Sequence, residues 1–160
     1  MRIIRRLPFY PHGTTVESPT GPVSVVPYQI IVWVGIRVRG TFSRFPAILD
    51  TGNSHNLSIG EKQLTDWTGA KDLRTVGEVV MNGRLLQAKR VELGLFRNVP
   101  STRDPVGNPY DLSIPQGIIV FPDEAPRLPL LGIRALVRCG LKTVIDGKRM
   151  QVSISRGFWK

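Results

Sequence analysis

The run Phe45-Pro46-Ala47-Ile48-Leu49-Asp50-Thr51-Gly52-Asn53-Ser54 carries one carboxylate to the end of an apolar stretch, just before a glycine. Ala47, Ile48 and Leu49 have the apolar continuity of a strand buried on both faces, and Gly52 gives the backbone freedom that a sharp turn needs. A charge at the end of a buried strand is costly to place. In a purely structural reading Asp50 is a turn residue, its side chain accepting hydrogen bonds from the amides of Gly52 and Asn53. In a functional reading the strand delivers an acid–base group. These residues alone leave both open.

Few other residues could do chemistry. His12 and His55 lie far apart in the chain with no Cys or carboxylate cluster to join them, which argues against a metal site. Ser54 and His55 are neighbours that point apart on extended backbone, without an orienting acid, so they make no catalytic triad. His55 reads as a pocket-rim or surface residue. No glycine-rich phosphate loop occurs, and no cofactor is expected. Cys139, the single cysteine, cannot form an internal disulfide and reads as a small packing residue in a reducing compartment.

The N-terminal arginines are not followed by an apolar core of signal-peptide length. The longest apolar run, Tyr28 to Ile36, is interrupted by Gln29 and is too short to span a bilayer, so a cytoplasmic location is expected. The chain is basic, with 22 Lys and Arg against 12 Asp and Glu for a net charge of +10. Such a balance could favour acidic partners, anionic membranes or nucleic acid. The charge is dispersed, however, with Arg2, Arg5 and Arg6 its densest cluster. No aromatics interleave along a basic stripe, so nucleic-acid binding rests on charge alone.

A length of 160 residues suits one domain with a core of its own. Sixteen glycines and thirteen prolines, with only short helical patterns between them, predict a mostly β fold. Residues 1–27, with five prolines among them, read as an irregular or edge-strand arm whose Ile3-Ile4 and Leu7-Pro8-Phe9-Tyr10 pack on something. Tyr28 to Arg39 is a strand that a loop through Ser43 and Arg44 returns as the strand ending at Asp50. Ser58 and Glu61 form a capping box opening a helix to about Trp67, stopped by Gly69. Val76 to Met81 and Arg84 to Leu93 flank Asn82-Gly83, the strongest two-residue hairpin signal in the chain.

Residues 97–116 read as a long, proline-containing loop of the kind that forms a lid or an interaction surface. Gly117 to Phe121 is an apolar strand. A proline-rich turn over Pro122 to Pro129 leads to Leu130-Leu131-Gly132. A short helix then runs from Ile133 to Cys139, closed by Gly140. Leu141 to Ile145 and Met150 to Ile154 make a hairpin around a two-residue turn, Asp146-Gly147. Trp33 and Trp67 are expected in the core, and Trp159 to pack or to dock on a partner.

The order of these parts resembles the retropepsin-like aspartic proteases, the single-lobe relatives of pepsin. The likeness covers roughly residues 28–155, with an arm at 1–27 and a tail at 156–160. It rests on Ile48-Leu49-Asp50-Thr51-Gly52 after a hairpin, on a central hairpin with Asn82 and Gly83 in the place of the flap, and on Leu130-Leu131-Gly132 before a short helix. Asn53 stands where the family usually has Ala or Ser, and its side chain is expected near the substrate path. Ser54 and Ile133 stand where retroviral enzymes carry an Asp–Arg pair. Both halves of that pair are missing together, which leaves neither charge unpaired.

The resemblance implies a retropepsin-like lobe, a closed β-barrel-like sheet with two short helices, and an aspartic endopeptidase acting on a polypeptide substrate. Such enzymes hold two carboxylates about 3 Å apart sharing one proton. The ionised carboxylate activates a water, and the protonated one polarises the peptide carbonyl. With one Asp-Thr-Gly in the chain, the enzyme must be a homodimer with Asp50 of each subunit at the two-fold axis. Thr51 would bond across that axis, and Gly52 would offer its backbone to carboxylates and substrate. The N-terminal arm and the C-terminal hairpin are the candidates for the dimer sheet. The alternative is a non-catalytic dimerisation or peptide-binding module that keeps the fold, for which Asn53 and a glycine-poor flap would speak.

Overall fold

The computed structural model describes residues 2–8, 12–96, 110–113, 117–122 and 127–157. The fold is mostly β. The central hairpin pairs β4 (Ile31–Val38) with β5 (Thr41–Asp50) in unbroken antiparallel register from Val38↔Thr41 to Ile31↔Ile48. Arg39 and Gly40, at φ 50° and 83°, make the turn. Two consecutive left-handed residues match the twist of the flanking strands, which ordinary turns would splay.

The expected loop through Ser43 and Arg44 is therefore strand. Arg44 is accommodated there because its guanidinium lies 4.0 Å from the centroid of the Phe96 ring, on β9 (Glu92–Phe96), two strands away across β4. Arg37 likewise pairs with Glu92 at 3.1 Å. Arg44, which reads as a loop residue, is thus a strand position with a partner across the sheet.

After β5 come β6 (Leu57–Gly60), α1 (Glu61–Thr68), β7 (Thr75–Met81), β8 (Arg84–Lys89) and β9. Then follow β10 (Tyr110–Ser113), β11 (Ile118–Phe121), β12 (Leu130–Gly132) and α2 (Ile133–Arg138). One nine-stranded sheet runs β10-β9-β4-β5-β12-β6-β11-β8-β7. Among the described residues its ends, β10 and β7, do not pair with each other, so the sheet is open where a closed barrel was expected. One end of the sheet is the β7–β8 hairpin, where Glu78 and Val80 are exposed.

The core contains Ile36, Phe45, Leu57, Ile59, Leu93 and Leu131, all fully buried. Helix α1 adds Leu64 and Trp67, whose ring packs 5.8 Å from that of Phe45. Trp33 is only half-buried, and Cys139 packs partly buried against the core.

Helix α1 starts at Gly60 instead of Ser58, with the Gly60 amide donating to Gln63 Oε1 at 3.1 Å. Ser58 cannot cap because it lies inside β6, buried between β12 and β11. Gly69, at φ 67°, ends the helix as expected. The strand predicted over 84–93 is two strands, because β8 pairs with β11 whereas β9 crosses to β4. The turn at Asn82 and Gly83 stands as read, with φ 50° and 74°.

The N-terminal arm is more regular than expected. Strand β1 (Arg2–Pro8) is an edge strand, and β2 (Thr14–Ser18) and β3 (Gly21–Val25) form a hairpin. Trp67 Nε1–H donates to Thr20 Oγ1 at 2.8 Å, tying that hairpin's turn to α1. In a separate sheet β1 pairs with β14 (Gln151–Arg156), which pairs in turn with β13 (Leu141–Asp146).

The β13–β14 connection is the four residues 147–150, not the two at Asp146-Gly147. Asp146 pairs with Gln151 and its Oδ1 accepts the Arg149 amide at 3.0 Å, while Met150 takes φ 51°. The lid reading of 97–116 falls outside the described residues except at β10, as do Phe9-Tyr10, Trp159 and the middle of the 122–129 turn. No described helix is long and apolar enough to cross a membrane.

Candidate active site

Strand β12 lies between the two strands that flank the Asp50 loop. Leu130, Leu131 and Gly132 pair in parallel with Ile48, Leu49 and Asp50, while Leu130 and Leu131 pair antiparallel with Ser58 and Leu57 of β6. The loop from β5 to β6 must therefore cross the end of β12. It does so at Gly132, whose amide donates to Asn56 O at 2.9 Å. A Cβ at that position would lie 1.8 Å from His55 O and 2.6 Å from Asn53 O, so only glycine lets the two backbones pass. Residues far apart in the chain, Asp50 and Leu130-Leu131-Gly132, meet in one crossing.

Asp50 is half-buried at the end of β5, and its Oδ1 accepts the Gly52 amide at 2.9 Å. The Asn53 amide donates instead to the main-chain carbonyl of Asp50 at 3.2 Å. One of the two expected amide–carboxylate bonds is thus made, and the other closes the turn. Thr51 and Gly52 form the exposed tip of the loop.

The Asn53 side chain does not point to solvent. It is 8% exposed and turned inward, where Nδ2 donates to Ser58 Oγ and to Leu130 O, both at 3.1 Å. Its Oδ1 accepts the His55 amide at 3.1 Å. Expected beside the cleft, Asn53 belongs to the support of the loop.

Beyond the loop a cavity of about 320 Å³ opens between His55, Asn56 and Arg134 on one side and residues 76–79 of β7 on the other. Gly117, Ile119 and Ala88 also line it; Asp50 does not. Sequence reasoning missed Arg134, Asn56 and Glu78 here because three distant segments supply them. The one legible signal was His55, read as a pocket-rim or surface residue.

Burial, and then the positive charge of Arg134, hold the His55 imidazole below its ordinary value of 6.5. The folded protein therefore binds this proton less readily than the unfolded chain does. The stability this contributes is complete above pH 6.5 and is lost as the pH falls below that value toward the folded-state value. His55→Gln is expected to flatten the pH dependence of Tm across that window, read by thermal denaturation of both proteins at matched ionic strength.

At the open end of the sheet, Val80 and Leu85 form the cross-strand pair one step from the Asn82-Gly83 turn, and they are 74% and 61% exposed. Among the described residues no group of three or more His, Cys, Asp or Glu could hold a metal ion. No protein-family model matches this chain, and no curated protein matches it.

Proposed function

We propose that the chain is one subunit of an aspartic endopeptidase of the retropepsin type, completed by a second copy that brings its own Asp50 to a shared two-fold axis. The observation that carries this reading is the parallel register of β12 on β5, which sets Gly132 opposite Asp50 and passes the Asp-Thr-Gly loop over it. Two motifs that carry the resemblance in sequence are then one piece of backbone. A turn aspartate alone would need no such crossing.

The chemistry follows from two carboxylates in one site. They cannot both stay ionised at about 3 Å, so they share one proton. The ionised Asp50 takes a proton from water as the water oxygen attacks the peptide carbonyl carbon. The protonated Asp50 gives its proton to the carbonyl oxygen. The tetrahedral intermediate then collapses: the carboxyl that took water's proton gives it to the nitrogen, the C–N bond breaks, and one hydroxyl of the intermediate returns its proton to the other carboxylate as the carbonyl re-forms. Gly52, its amide already on Asp50 Oδ1, helps fix the carboxylate's orientation, and Thr51 at the exposed tip is placed to meet its counterpart.

Within one chain β14 already has β1 and β13 as neighbours. A dimer sheet would therefore extend from an outer edge of β1 or β13, or form by exchange of β1 between subunits. The β7–β8 hairpin supplies the flap. Its exposed apolar pair fits a surface that closes on an extended peptide, with little to lose in the free protein. Val80→Ser combined with Leu85→Ser is expected to leave Tm nearly unchanged and to raise KM roughly tenfold, the equivalent of about 1.4 kcal/mol of binding. Steady-state kinetics on one peptide checks it.

The binding-module alternative loses the argument from Asn53, whose side chain supports the loop from within. The test is cleavage of a diverse peptide library by the purified protein from acidic to neutral pH, with oligomeric state recorded in the same samples. Cleavage by a dimer is the expected result. A dimer that binds peptides but cleaves none across that range would mean a binding module.

A further inference from the structure

We propose that Asn53 is the positioning residue of the Asp50 loop, a buried side-chain clamp that holds the loop to both strands it crosses. For its activity readout the inference rests on the peptidase reading above. The side chain is placed by its partners: the two Nδ2 protons go to Ser58 Oγ on β6 and Leu130 O on β12, and Oδ1 takes the His55 amide. Leu130 O can only accept and the His55 amide can only donate, so the amide has one orientation.

The main chain of Asn53 adds a fourth link, its N–H to the Asp50 carbonyl at 3.2 Å. One residue thus joins the catalytic strand, the crossing strand, the exit strand and the loop itself. Thr51 and Gly52, at the exposed tip, lie outside the clamp, and Gly52 carries the amide that meets the Asp50 carboxylate.

Alanine or serine, usual at this place in the family that the chain resembles, could not span the same partners. The missing Asp–Arg pair at Ser54 and Ile133 is the other departure beside this loop. A neutral amide clamp anchored to β6 and β12 supplies loop support without a buried charge, and so without the cost of desolvating one. Because the side chain faces the interior, Asn53 acts on catalysis through the Gly52 amide and Asp50, not through contact with substrate.

The experiment compares wild type with Asn53→Ala and Ser58→Ala for kcat and KM on one peptide, and for the Gly52 amide resonance in the ligand-free protein. The clamp predicts that Asn53→Ala lowers kcat roughly 10- to 100-fold with KM changed less than about twofold, and displaces or broadens the Gly52 resonance. Ser58→Ala removes one partner and is expected to give a smaller change in the same direction. It carries the test if Asn53→Ala does not fold.

A rise in KM with kcat retained would mean that the side chain meets substrate, and would overturn the proposal. So would an unmoved Gly52 resonance in a folded variant. If wild type cleaves no peptide, the peptidase reading fails, and the Gly52 resonance still decides whether Asn53 positions the loop.

Discussion

Asp50→Asn is expected to leave a folded dimer that hydrolyses peptides about 10⁴-fold more slowly than wild type, the loss of both proton-transfer roles at once. The substitution is nearly isosteric, and its side-chain oxygen still accepts the Gly52 amide that Asp50 Oδ1 holds at 2.9 Å. The loop, the β12 crossing and the core below it keep their contacts. In the proposed dimer both members of the dyad change together by symmetry, so no carboxylate would remain to take the proton of water or to protonate the carbonyl oxygen.

Mixing separates a shared site from a single-chain one. If wild type and Asp50→Asn are co-refolded so that subunits exchange freely, activity should fall as the square of the wild-type fraction, because a mixed dimer has one carboxylate where two are needed. A linear fall would show that each chain works alone. That result would overturn the two-copy mechanism even if Asp50→Asn itself were inert.

What the sequence made legible here was local. Asn82-Gly83 needs two left-handed residues in a hairpin, and both are so; Gly69 ends α1 for the same steric reason. The apolar run into Asp50 and the Leu130-Leu131-Gly132 motif were both legible as pieces. Their parallel pairing was not legible, since no local preference joins strands so far apart in the chain.

The misread positions share a cause: a side chain's partner came from a distant strand. Ser58 has the chemistry of a helix cap, but β12 and β11 close on it and its hydroxyl accepts from Asn53. Arg44 has the polarity of a loop, but the Phe96 ring makes it a strand residue. Asn53 was expected near the substrate path because a larger polar side chain stands where the family that the chain resembles has Ala or Ser. Three buried partners turn it inward, and nothing near it in sequence announces them.

Gly132→Ala is expected to destabilise the protein by roughly 3 kcal/mol or more, at the top of the range for a small-to-large change at a packed site. The added Cβ would stand 1.8 Å from His55 O and 2.6 Å from Asn53 O. Both obstacles are backbone, so no side-chain rotation relieves the clash. To make room the loop must lift off β12. That would break the Gly132 amide bond to Asn56 O and strain the Asn53 bond to Leu130 O. In this protein of 160 residues the cost corresponds to a fall in Tm on the order of 10 °C.

Gly77→Ala is the control. Gly77 also lies in a strand, but nothing stands within 4 Å of its Cβ position, and a change within about 0.5 kcal/mol is expected. Equal losses at the two glycines would mean that backbone flexibility, not the crossing, sets the cost. A large loss at Gly132 alone would locate the requirement where the loop carrying Asp50 passes over β12. The same geometry predicts that any residual folded Gly132→Ala protein is inactive, because lifting the loop moves Gly52 away from the carboxylate it holds.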